Sequence, residues 1–214
     1  MRLYHFTNQK YGLRAIKDRR LKIARINELN DPFEFLGWNI QNRATRARMQ
    51  KWKLERNNEI GILCFSSKWT NPLLWGHYAD KHRGVAIGFD VPDIDMLKPV
   101  RYCRKRLTPP ADFNLASAEV DSLLIAKFSA WRYESEYRYF SVLNNCICID
   151  GLYFNSFSPH FKLAQVIVGA NSTVTRAELA AALGDQKTHV TTFKARPAFG
   201  TFSVVRNRDD ALWQ

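Results

Sequence analysis

Most of the short signatures that announce an enzyme are missing from this chain. Its ten glycines are scattered and form neither GxxxxGK nor GxGxxG, so a phosphate-cradling loop of either kind is excluded. There is no GxSxG elbow and no HExxH pair, which sets aside the common serine hydrolases and zinc peptidases. The four cysteines, Cys64, Cys103, Cys146 and Cys148, make no CxxC pair and have no histidine at zinc spacing. Cys146 and Cys148 flank one residue, a poor disulfide geometry, so reduced thiols and no metal are expected. No apolar stretch approaches the roughly 20 residues that cross a bilayer. Met1-Arg2-Leu3-Tyr4-His5 lacks the apolar core of a signal peptide. A cytoplasmic protein with no membrane partner is the expectation.

Acid is also scarce. Asp and Glu number 20 against 32 Lys and Arg, giving a net charge of +12. Such an excess points to an anionic partner, whether nucleic acid, nucleotide or an acidic protein surface, although surface cations also serve solubility. Residues 43 to 56 concentrate it, with six basic side chains and one acid, Glu55. Most such runs are a solvated helix face, but this one is the first choice for contact with a polyanion.

What is present is a foldable chain. At 214 residues, 46% hydrophobic and 13% aromatic, it can bury a full core as one large domain or two small ones. No repeat, low-complexity tract or linker interrupts it, so a single domain over 1–214 is favoured. Strands are expected at Leu3–Thr7, Leu21–Ile26, Ile60–Ser66, Val85–Phe89, Val100–Cys103, Val166–Val168, Thr188–Lys194 and Thr201–Val205. Helices are expected from Tyr11 to Arg20, over 43–56, from Leu73 to His82 behind Asn71-Pro72, and from an Asp112 cap to near Ala130. Thr175-Arg176-Ala177-Glu178 is a capping-box pattern whose helix ends at Gly184. The mixture predicts an α+β fold with mixed sheets.

The most suggestive segment is Trp131-Arg132-Tyr133-Glu134-Ser135-Glu136-Tyr137-Arg138. If it is extended, Glu134 and Glu136 share one face about 7 Å apart. Two acids among aromatics and arginines need water, a partner or a substrate to satisfy them. The plain alternative is an edge strand whose glutamates pair with Arg132 and Arg138. His5, between Tyr4 and Phe6, is more often a core or rim residue in such a setting than a catalyst. His77 and Tyr78 read as packing aromatics.

In order, Leu3-Tyr4-His5-Phe6-Thr7, Asn30-Asp31-Pro32-Phe33-Glu34, Cys64-Phe65-Ser66, Asn71 to Asp80, His82 to Asp90 and Trp131 to Arg138 resemble the bacterial family catalogued as domain of unknown function 2971. A histidine on the first strand, a strand-then-helix block with an aromatic, and a later strand opened by a glutamate are more distantly similar to the ADP-ribosyltransferase superfamily, in particular its DNA-modifying toxins. That similarity implies split mixed sheets flanked by helices, and a glycosyltransferase using NAD as substrate without a metal. It implies that His5 and Thr7 hold the NAD ribose, that Tyr78 or Trp75 stacks on nicotinamide, and that Arg83 or Arg138 meets the pyrophosphate. It makes Glu136 the catalytic carboxylate and Glu134 the acceptor-activating or supporting acid. It also implies a DNA or RNA acceptor, a toxin or antiphage role, and an antitoxin or regulatory partner. Asn30 to Glu34 has no counterpart in the superfamily pattern and would form the floor of the site or contact the acceptor. Rival readings are a nucleic-acid-binding module without catalysis and a NAD glycohydrolase.

Overall fold

A computed structural model describes residues 1–110 and 119–214 and shows an α+β fold with mixed sheets and several helices. The chain divides into two compact units, neither continuous in sequence: 1–21, 65–93 and 156–214 form the first, and 22–64 and 94–155 the second.

The first unit is built on a mixed sheet ordered Val204–Arg206, Thr191–Pro197, Lys162–Val168, Val85–Asp90 and Arg2–Thr7. Lys162–Val168 runs parallel to Thr191–Pro197 and the other pairs are antiparallel, with a bulge between Leu163 and Gln165. Val85 to Phe89 is fully apolar because both of its faces are covered. The helix Gln9–Asp18 is capped by the Asn8 side chain. The helix Arg176–Leu183 starts with the expected reciprocal box, Thr175 accepting from the Glu178 N–H and the Glu178 carboxylate from the Thr175 N–H. Gly84 lies so close to the first strand that a Cβ there would meet the Thr7 carbonyl at 2.0 Å. Just before it, Asp80, Lys81 and His82 are all left-handed, so the helix opened by Pro72 stops at Tyr78, short of the expected His82.

The second unit has its own core of Ile26, Phe35, Trp38, Met49, Trp52, Ile62 and Leu123. Ala24–Arg25 pairs with Ile60–Ser66, which lies beside Glu136–Val142, and that strand in turn pairs with Leu97–Pro99. The basic run is the helix Arg43–Asn57, anchored by Met49 and Trp52 with Arg43, Arg46, Arg48 and Lys51 towards solvent. Ile147–Ile149 and Leu152–Ser156 form a hairpin that periodicity did not suggest.

Two further expectations are corrected. The long helix towards Ala130 is replaced by a short helix, Glu119–Leu124, followed by a strand, Ala126–Phe128, parallel to Arg101–Cys103. The Arg101 N–H takes the Ile125 carbonyl at 2.8 Å, so the chain leaves the helix to pair there. The Asp112 cap, with Phe113 and Ala116, falls outside the described residues. Thr201 does not open the last strand. That strand begins at Val204, because 198–203 is a turn held by Ala198 N–H to Ser203 O at 2.8 Å.

Candidate functional site

The two glutamates meet, but by a different route from a pleated strand. Ser129–Glu134 is a tight 3-10 turn, Ser135 is left-handed at φ 46°, and the strand begins at Glu136. This reversal brings both carboxylates to the Lys127 Nζ, at 2.5 Å from Glu134 and 2.9 Å from Glu136. Arg138, two residues along the strand, is 0% exposed. Its Nε donates to Glu136 Oε1 at 2.8 Å, its Nη1 to the Leu124 carbonyl at 2.8 Å, and its Nη2 to Glu34 Oε1 at 2.6 Å. Three carboxylates therefore surround two cations inside the second unit.

Burial is costly for all five groups, and their mutual pairing offsets it. Desolvation alone would raise the Glu136 carboxyl, but Arg138 and Lys127 override it and hold it down to about 2. Burial would lower the Lys127 ammonium, yet Glu136, Glu34 and Glu134 keep it raised. Desolvation pushes the Cys64 thiol well up, and the adjacent Glu136 carboxylate adds to this, so that thiol stays neutral. The Tyr102 hydroxyl accepts the Glu136 N–H at 2.8 Å, and burial pushes its own ionisation up to about 12.

Glu34 was not singled out by the sequence as an acid. It lies in the Asn30-to-Glu34 block, which Asp31 folds by accepting the Phe33 N–H at 2.9 Å. The buried Phe35 that follows is left-handed at φ 61°, a backbone state that costs roughly 1–2 kcal/mol for such a residue. Glu34 is 3% exposed, and while Oε1 meets Arg138, its Oε2 has no hydrogen-bond partner among the described residues. An orphaned buried carboxylate oxygen is expensive unless something arrives to satisfy it.

A cavity of about 330 Å³ adjoins it, bounded by Asp31, Phe33, Glu34, Lys127 and Phe128 and by the basic run Arg104-Lys105-Arg106. The two loops that frame it are tied together: Leu107 N–H donates to Gly37 O at 2.7 Å and Asn39 N–H to Leu107 O at 2.8 Å. Arg106 Nη1 donates to the Leu36 carbonyl at 2.6 Å. The lining thus combines the acidic residues Asp31 and Glu34, aromatic carbon at Phe33 and Phe128, and a run of cations. That combination suits a ligand with hydroxyl donors at one end and an anionic group at the other.

The remaining candidates from the sequence lie in the first unit. His5 stands on the first strand with its ring 6.0 Å from Phe65, edge-on, and Thr7 closes the same strand. Trp75 is fully buried against Phe6, and its indole donates to the Trp69 carbonyl at 2.6 Å, which leaves no open face for stacking. Tyr78 is half-buried beside His77. Arg83 is exposed and doubly bonded to Asp80, at 2.8 and 3.2 Å. The structure therefore joins Glu134 to Glu136 in one unit and sets His5, Thr7, Trp75, Tyr78 and Arg83 in the other.

The fold and site define an α+β protein with a buried charge cluster beside a cavity. A family model described as "Protein of unknown function (DUF2971)" matches residues 74–139, which hold Lys127, Glu134, Glu136 and Arg138. No curated protein and no solved structure matches the chain. Among the described residues no helix is long and apolar enough to cross a membrane.

Proposed function

We propose that this protein takes NAD as a donor and transfers ADP-ribose to a polyanionic acceptor, nucleic acid first, on an ADP-ribosyltransferase-like fold. The observation that carries the reading is Glu34, which lines a cavity shared with a basic run and whose buried Oε2 has no hydrogen-bond partner among the described residues. Breaking the bond between nicotinamide and ribose sends the bonding pair out with nicotinamide and leaves positive charge on the sugar. A carboxylate beside that sugar, in a site with little water, stabilises the charge and accepts a ribose hydroxyl. Among the described residues, Glu34 is the carboxylate of the cluster with an oxygen that lacks a hydrogen-bond partner. Arg104, Lys105 and Arg106 face the pyrophosphate. Glu136 and Glu134 serve as positioning residues: Glu136 holds Arg138 against Glu34, and Glu134 holds Lys127.

The roles that the superfamily resemblance gives to His5, Thr7, Tyr78 and Arg83 concern the first unit and are tested separately. The test of the main reading is incubation with labelled NAD and DNA, RNA or lysate protein, for the wild type and for Glu34→Gln of verified fold. Labelled acceptor from the wild type and none from the variant supports it. Free ADP-ribose as the sole product makes the protein a glycohydrolase, with water as acceptor. No nicotinamide release with any acceptor overturns it.

A further inference from the structure

Two phenylalanines stand entirely in solvent at the tip of a rigid hairpin in the first unit. Phe199 is 95% and Phe202 102% exposed, while Phe193 on the same hairpin is buried in the core. Leaving each ring in water forgoes about 1.5–3 kcal/mol of burial. The turn that carries them is well tied. Ser203 N–H donates to Thr201 O at 2.9 Å, the Thr201 and Ser203 hydroxyls meet at 2.7 Å, and Val204 N–H donates to Thr70 O at 2.7 Å. The rings are therefore presented by ordered backbone. A concave space of about 530 Å³ lies against them, lined also by Pro72 and His82.

The surroundings are cationic. The Arg196 guanidinium lies 4.7 Å over the Phe199 ring, whereas Arg206, paired with Ala195 on the partner strand, lies 5.3 Å over Phe193. Across this unit Lys and Arg outnumber Asp and Glu two to one. A lipid surface fits poorly, because a ring capped by a guanidinium, with Thr201 and Ser203 hydroxyls beside it, would draw charge towards hydrocarbon. A duplex fits poorly too, since its bases are already stacked on each other. Unstacked bases need an exposed aromatic face and a nearby cation, and this hairpin offers both.

We propose that the hairpin tip, through Phe199 and Phe202 with Arg196, binds single-stranded nucleic acid by base stacking and phosphate contact. This deepens the acceptor half of the reading above, and it stands or falls without the donor half. The test is fluorescence anisotropy without NAD, using a labelled single-stranded oligonucleotide, its duplex, and phosphatidylserine vesicles. Each of Phe199→Ala and Phe202→Ala is expected to weaken single-strand binding about tenfold or more. Their thermal midpoints should match the wild type, since both side chains are exposed. Arg196→Gln is expected to lessen the salt dependence of binding. Wild-type affinity retained in the double alanine variant overturns the proposal. So does absence of oligonucleotide binding by the wild type, or a hairpin-dependent preference for vesicles. Hairpin-dependent binding in a protein that consumes no NAD would leave this proposal standing while ending the previous one.

Discussion

Arg138 and Glu136, two residues apart on one strand, face the same side and form a two-bonded ion pair, Nε to Oε1 at 2.8 Å and Nη2 to Oε2 at 3.3 Å. The same Nη2 reaches Glu34 at 2.6 Å, so one guanidinium joins a late strand to an early loop. This contact links the acidic segment that dominates the sequence to the cavity that the sequence left unmarked.

Arg138→Met should destabilise the protein by about 3–5 kcal/mol, because it leaves the buried Glu34, Glu134 and Glu136 with Lys127 as the cluster's one remaining cation. Restoring balance with Arg138→Met plus Glu136→Gln should recover part of that loss. Urea unfolding of the single and double variants gives the comparison, and strict additivity of the two changes would contradict a shared cluster.

Acid should weaken the fold through Glu136. Its folded carboxyl titrates near 2, against an ordinary 4.5, so its contribution is complete above 4.5 and fades as pH falls from there towards about 2. The urea midpoint should drop across that window in the wild type. In a folded Glu136→Gln variant the drop should be shallower, and equal slopes would remove Glu136 from the account.

Tyr102 should ionise late. With burial holding its hydroxyl up to about 12, spectrophotometric titration should contain a tyrosinate step near that value. Tyr102→Phe should abolish the step. The same change leaves the Glu136 N–H without its acceptor and should cost about 1–3 kcal/mol.

Removing the Thr175 cap with Thr175→Ala should cost about 1 kcal/mol, as read from the thermal midpoint. The cluster should be undisturbed, so the acid-induced slope stays that of the wild type.

His5→Ala tests the first-unit part of the NAD reading. If the resemblance assigns this residue correctly, NAD consumption should fall with the fold intact. Unchanged consumption would leave its imidazole as a packing partner of Phe65.

How much the sequence disclosed follows from the range of the forces involved. Local signals read well: the Thr175 box, the Asn71-Pro72 start and the apolar Ile60–Ser66 strand all appear where residue chemistry placed them. The pairing of Glu134 and Glu136 on cations was also foreseen as the plain alternative, although Lys127 is the centre and Arg132 is not. Lys127 was hidden because its segment kept helical spacing, and only pairing with Arg101–Cys103 turned it into a strand. Glu34 was hidden for a related reason. It lies 104 residues from Arg138 in sequence, and no local pattern reports so distant an ion pair. The superfamily resemblance named the chemistry of a carboxylate beside a ribose. The arrangement in space adds that Glu34 has a buried oxygen with no hydrogen-bond partner among the described residues.

Calorimetric titration of NAD into the wild type and into Glu34→Gln, both of verified fold, puts that oxygen to the proof. Saturable binding that weakens about tenfold or more on losing the charge is the expected result, as for a hydrogen bond to an ionised group. Equal affinity in the two proteins, or no heat of binding in the wild type, would contradict a role for the second unit's cavity in holding the dinucleotide.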